Sequence, residues 1–424
     1  MINLKKVYCT GLLVCFFFLW GGLAPLCASE TDTMRLINLL KSKKILTQEE
    51  ADALLNEMDA GAKKEREVAK EEMKTAAAKG EFLPPALRGF KFGTTIYGEW
   101  NNKKPDGAAS TNQFALNRAY LTLTKDVNDW LGMNITADLF NSVDPADNRD
   151  GLQLRLKFAY ANLNLYGTTT RLGMIPTPSD AYDSAIWPYR AQGQNLLDGL
   201  GIQSTSDLGI SNQGAIGGYM DADYLKFAAK PFAGKWGGYF VGIFNGAGFT
   251  NTEANNNKVP SGLIYIRPLP TVPFLKGLQL AYSGTYGQSN NTFAPGQGIT
   301  TDYPNWRVNV GQVSLQHEYF TVMGQYYWGK GMFTSLEEHD REAYLAAAFM
   351  RIPGLEKLRV FGKYYYYDPN TDQSNDSYKT YIAGLSYDVT NEFMPFVAFE
   401  RRTYESVVAG ADYDKYQVGF QMKF

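Results

Sequence analysis

Bond-making chemistry finds few candidates in this 424-residue chain, which holds two histidines, His317 and His339, and three cysteines, Cys9, Cys15 and Cys27. A hydrolytic triad is built around a histidine held by a carboxylate. Neither histidine has that setting, since His317 falls in a tight turn and His339 in a loop. The cysteines all precede Ala28, so the remaining chain offers no thiolate for a nucleophile, a disulfide or a zinc site. There is no phosphate-cradling glycine loop and no haem-attachment motif, and a net charge of -2 gives no nucleic-acid footprint. No catalytic residue, metal or cofactor is expected. What remains is electrostatic. Arg118, Arg155, Lys157, Arg171, Lys226 and Arg402 fall on one face of strand-like segments, and Asp180, Asp183 and Arg190 share one long connection. Such side chains act on a passing ion or solute through their field, without making bonds.

Strands must aim those charges. The chain carries 28 Tyr, 25 Phe, 7 Trp and 41 Gly, a composition of many strands, turns and aromatic bands. Its mean hydropathy of -0.29 argues against a helical membrane protein but suits a barrel, where about half of each strand faces water. After Pro85 we read sixteen strand-like segments, starting near Arg88, Gln113, Trp130, Gln153, Thr169, Asp223, Gly237, Val259, Gly277, Asn305, Tyr319, Asp340, Lys357, Tyr378, Glu392 and Tyr413. Their connections alternate long and short, as in an all-β transmembrane antiparallel barrel of about 16 strands. Ser206 to Tyr219 leaves open a further strand pair and a count of eighteen. Trp100, Tyr326 to Trp328 and Tyr364 to Tyr367 fall at loop-side strand ends, Trp130 and Phe393 at turn-side ends, where interfacial aromatic girdles belong.

A barrel of sixteen strands encloses a lumen wide enough for water, which makes a channel the default expectation. The connection from Pro176 to Ala222 is much the longest, and a loop of that length folded inward would set the constriction. Alternation assigns further cations to the lumen face, namely Lys91, Lys230, Arg307, Arg359 and Lys363, against a smaller acidic set of Glu99, Asp138 and Glu400. The excess of basic residues implies weak anion preference.

The last strand fixes the phase. Tyr416, Val418, Phe420, Met422 and Phe424 alternate with Gln417, Gly419, Gln421 and Lys423, so the first set faces lipid and the second the lumen. This resembles the C-terminal assembly signal of bacterial outer-membrane proteins, which implies the barrel-assembly machinery as a partner. At the other end, Lys5 and Lys6 precede an apolar run from Val7 to Leu23 and a small-residue site at Ala28, so residues 1–28 read as a secretory signal peptide. A lipoprotein signal using Cys27 is the alternative, weakened by the bulk of Leu26. Residues 29–83 are rich in helix formers and mixed charge, and Thr47 with Glu50 makes a capping box. They read as a periplasmic helical segment, either a short coiled coil with Ala51, Leu55, Met58 and Ala62 on its seam or a solvated linker. Residues 84–424 form the barrel domain.

The run Asn117 to Leu123, the segment Leu156 to Tyr160, the stretch Gly173-Met174-Ile175-Pro176-Thr177-Pro178 leading to Trp187-Pro188-Tyr189-Arg190, and Val241 to Gly246 resemble the phosphate-selective porin family. The resemblance spans the barrel. It implies a trimeric sixteen-stranded porin set in outer-membrane lipid of a Gram-negative-type bacterium, passing small hydrophilic solutes or ions by passive diffusion. It does not carry phosphate specificity, because no arginine and lysine ladder can be matched residue by residue. The alternative function is a structural or conduit barrel that tethers the envelope or sheathes a redox partner.

Overall fold

The computed structural model describes residues 89–424 except 143–150, 292–302 and 408, together with scattered residues between 39 and 67. The signal segment and most of the coiled-coil seam lie outside the described residues. The chain divides into two units, 1–88 and 89–424. In the first, the helical turn at 48–53 opens with the reciprocal bonds of a capping box. The Thr47 backbone N–H donates to Glu50 Oε2 at 2.9 Å and the Glu50 backbone N–H donates to Thr47 Oγ1 at 3.3 Å.

The second unit is a closed antiparallel barrel of sixteen strands in chain order. They are β1 (Phe90–Pro105), β2 (Thr111–Asp126), β3 (Leu131–Ser142), β4 (Gly151–Leu165), β5 (Thr168–Pro176), β6 (Ser206–Ile216), β7 (Gly237–Phe244) and β8 (Val259–Ile266). Then follow β9 (Leu278–Gln288), β10 (Asn305–Gln316), β11 (Phe320–Lys330), β12 (Asp340–Ile352), β13 (Leu355–Asp368), β14 (Tyr378–Tyr387), β15 (Phe393–Tyr404) and β16 (Tyr413–Lys423). β16 closes on β1 from Thr95 opposite Lys423 to Pro105 opposite Tyr413. The Phe424 N–H then donates to the Thr94 carbonyl at 2.9 Å, extending the ladder to the last residue.

Alternation separates the two faces. On β16 Gln417 is 2 % exposed and Val418 52 %, so the amide faces in and the valine faces out. The outer face carries aromatic pairs such as Tyr326 stacked with Trp328 at 5.5 Å and Tyr344 with Tyr366 at 4.7 Å. Tyr327, Tyr365 and Tyr367 of the expected girdle instead point into the barrel, since neighbours along a strand cannot share a face.

Three expectations need correction. The sixth strand is Ser206–Ile216, not a segment near Asp223, and the count stays at sixteen because only one strand lies between β5 and β7. The segment Ser-Asp-Leu-Gly-Ile-Ser-Asn-Gln-Gly-Ala-Ile has little β propensity. It is small for packing reasons, since a Cβ on Gly209 would meet the Ile243 carbonyl and one on Gly214 the Tyr239 ring. Lys226 and Lys230 accordingly lie on two 3-10 turns, Tyr224–Lys226 and Lys230–Phe232, and Lys226 pairs with Asp223 at 2.8 Å. The turn-side connection 217–236 is therefore long, and the strict alternation of connection lengths fails there. Third, Arg307 faces outward: on β10 Trp306 and Val308 are buried on either side of an exposed Arg307.

Candidate functional site

The site is the lumen, and the loop between β5 and β6 occupies it. This loop, 177–205, holds helix α1 (Pro178–Ile186) and the single turn α2 (Leu196–Gly199). Pro178 opens α1 at a position where its missing N–H costs nothing. Inward folding is established by its partners. Tyr182 Oη donates to Gln279 Oε1 of β9 at 3.1 Å, and Gln203 Nε2 donates to Thr285 Oγ1 of the same strand at 3.1 Å. Gln325 Nε2 of β11 donates to the Asp183 carboxylate at 2.7 Å. The Tyr189 hydroxyl bonds Ser386 Oγ of β14 at 2.9 Å, while its ring stacks on Phe361 of β13 at 4.1 Å. Gln192 Nε2 donates to Gln417 Oε1 of β16 at 3.1 Å, and Gln417 Nε2 donates onward to Glu99 of β1 at 2.7 Å. On the far side, Lys157 Nζ of β4 donates to Thr205 Oγ1 at 2.7 Å. A loop with so many buried polar groups must satisfy them, and inward-facing amides of the wall do so.

The loop leans mainly on the far half of the barrel, where inward side chains of β8 to β15 are largely buried. On β2 to β5 several inward side chains, among them Arg118, Tyr120, Arg155, Tyr160 and Arg171, remain half-buried, while Thr136, Asp138 and Lys157 are buried. The less covered part of the lumen, the passage, thus lies between the loop and β2 to β5. The loop presents Arg190 to it, bridged to Asp180 at 2.7 Å and to Asp198 at 2.9 Å. Burial works against the Arg190 charge, but the two carboxylates more than offset it and raise its pKa. Tyr97, Tyr120 and Lys157 lie within electrostatic reach of Arg190, and all three also feel Arg118.

Of the expected basic wall, Arg118, Arg155, Lys157 and Arg171 face the lumen from β2, β4 and β5, and most of them are sequestered. Arg155 is bridged to Asp138 at 2.8 Å and sandwiched between Phe140 at 4.0 Å and Phe249 at 4.7 Å. Lys157 is 5 % exposed. It turns inward at a β-bulge, where the pairing of β3 with β4 shifts between Thr136 and Ala137. Arg171 Nη1 donates to Gln213 Oε1 at 2.9 Å. Arg118 alone of these four makes neither a salt bridge nor a side-chain hydrogen bond within the described residues. Arg402 sits apart on β15 among tyrosines, 4.3 Å above the Tyr378 ring. Asp183 faces away from the passage, toward the wall, and burial pushes its carboxyl up to about 7 against the opposing Gln325 hydrogen bond.

Alternation placed Gln417 in the lumen, but that Gln279, Gln325 and Gln417 seat the loop was not read from the sequence. A readable signal existed, because these glutamines stand at inward positions where a wall washed by water would favour charge. Sequence reasoning also missed Phe249, whose loop bends over Arg155 and Lys157.

A closed sixteen-strand barrel with an apolar outer face and an inward third loop is the fold of outer-membrane porins. No family model matches the chain, and no curated protein aligns with it in sequence. Solved structures do share its fold. An anion-selective porin from Comamonas acidovorans superposes with a TM-score of 0.55 at 12% identity, over 79% of this chain and 99% of the other. OprB of Pseudomonas putida gives 0.54 at 11% identity over 79% and 94%. Salmonella typhi OmpF gives 0.53 at 12% identity over 79% and 97%.

Proposed function

We propose that the chain is an outer-membrane porin, a water-filled channel for passive diffusion of small hydrophilic solutes and ions with a weak preference for anions. The observation that carries this reading is the third loop, which crosses the lumen and leaves a polar passage between Arg190 with its two carboxylates and the half-buried wall of β2 to β5. No bond-making group is needed. Among the described residues Arg118, Lys157 and Arg171 have no carboxylate bridge, whereas the loop's Asp180 and Asp198 share one arginine. The resulting excess of positive charge raises local anion concentration in a narrow pore. The motifs around Asn117 and Gly173 favour kinship with the general branch of the phosphate-selective porins, without an arginine ladder that would make phosphate its solute.

A homotrimer fits the outer face. Tyrosine and tryptophan stand at outward positions of β9 and of β11 to β14, whereas outward positions of β3 to β6 carry aliphatic and small residues such as Ile135, Ala137, Leu154, Leu172 and Ile210, and no aromatic among the described residues. Aromatic belts mark the lipid–water boundary, so an arc without one favours protein contact. Purified protein in planar bilayers should give stable ohmic channels, with a reversal potential in a salt gradient of the sign set by anions. Absence of conductance would overturn the channel reading, and cation preference would overturn only the anion preference.

A further inference from the structure

The turn-side connection 217–236 does not hang below the barrel. Phe232 is 2 % exposed, and its ring meets Tyr182 of α1 edge-to-face at 5.0 Å and Tyr265 of β8 at 5.9 Å. Three elements from different parts of the chain thus share one ring cluster, namely the constriction loop, the turn-side connection and the wall. Tyr265 also ties the backbone, its hydroxyl accepting from the Gly234 N–H at 3.1 Å.

Arg267, the residue after β8, holds this arrangement. It is 1 % exposed, and among the described residues no carboxylate neutralises it. Its guanidinium is caged by the connection itself. Nε donates to the Gly234 carbonyl at 3.2 Å and Nη2 to the Phe232 carbonyl at 3.3 Å. Nη1 donates to Tyr224 Oη at 2.6 Å and to the Lys276 carbonyl at 2.9 Å, the last belonging to the next turn-side connection. Carrying a charge this far from water is costly, and a fork of donors spread over four acceptors is something lysine cannot reproduce.

We propose that residues 217–236 form a fixed floor beneath the third loop, and that Arg267 is the positioning residue that sets its height. The floor keeps α1 from sinking toward the turn side, so the constriction is clamped between the wall amides and Phe232. This goes beyond the channel reading, since it concerns what immobilises the constriction whatever passes it.

The test uses the full chain refolded into lipid, as wild type, Phe232→Ala, Arg267→Lys and Phe232→Leu. Amide hydrogen exchange across 178–186 should accelerate about tenfold or more in Phe232→Ala and Arg267→Lys, consistent with losing an aromatic anchor, and should recover toward wild type in Phe232→Leu. Strand amides of β12 to β16 should exchange as before, which a general loss of stability would not allow. In bilayers the same two variants should flicker to lower levels with an unchanged main open level. Unchanged exchange in 178–186 for both variants would overturn the proposal. So would a raised main open level, because the connection would then itself be the constriction. Should the wild type not conduct at all, the exchange result still decides the floor while the channel reading falls.

Discussion

Replacing Asp183 with Asn should remove a pH dependence of stability and make the barrel sturdier above neutrality. Asp183 is 5 % exposed on α1, and its carboxyl is raised from an ordinary 3.8 to about 7, with burial as the main cause. The sign follows from proton counting. Between those two values the folded chain keeps the Asp183 proton while the unfolded chain has released it, so folding binds a proton and stability falls as pH rises. The slope is about 1.4 kcal/mol per pH unit, and it ends near the folded value. Over the window the loss is on the order of 4 kcal/mol, an upper figure because water reaching the loop would reduce it. The amide variant has no proton to lose and still accepts from Gln325 Nε2, and its new N–H2 supplies a donor where Gln325 Oε1 is buried without one. Urea unfolding in lipid vesicles, followed by tryptophan fluorescence from pH 4 to pH 8, measures the difference between the proteins. That difference should be small near pH 4 and grow in favour of Asp183→Asn up to about pH 7. Parallel pH profiles for the two proteins would refute the reasoning, as would a variant less stable at pH 8.

The other predictions are briefer. Arg118→Ser removes the cation of the β2 to β5 wall that makes neither a salt bridge nor a side-chain hydrogen bond among the described residues, and reversal potentials should shift toward cations with little change in stability. Arg155→Ala strands Asp138, whose side chain is 0% exposed, and should cost about 3–5 kcal/mol in the same unfolding assay. Deleting Phe424 removes the final ladder bonds to Thr94 and an outward aromatic; assembly into vesicles should drop, while the channels that do form keep wild-type ion preference.

The fold was largely legible because period two and turn signals placed fifteen of the sixteen expected segments on strands. β6 was legible only as an open alternative, the strand pair allowed at Ser206 to Tyr219, because its glycines and serines answer to close packing against β7 rather than to β propensity, while the aromatic and apolar residues at 223–232 look like a strand and serve as a floor. Charge positions were legible to the extent that phase was. Period two already placed Lys157 inward beside Arg155, and the bulge on β4 changes the phase only beyond it, whereas Arg307 was lost to a phase error on a strand whose inward face is apolar from Trp306 to Val310. Trp306, Val308 and Val310 face in there because loop residues cover them. A lumen filled by its own loop has a partly hydrophobic interior, which defeats any rule that equates inward with polar.

The third loop has one more consequence. It is bonded near one end to β4 through Thr205 and Lys157, and through its middle to β14 and β16 through Tyr189 and Gln192. It therefore spans the cylinder as a chord. A hollow cylinder ovalises easily, but one with a chord fixed to separate parts of its wall resists widening along that line. The same chord forms one edge of the passage. Lateral pressure in the surrounding bilayer thus acts on girth and aperture together, so a change in lipid thickness or packing would register as a change in conductance without any gate having moved.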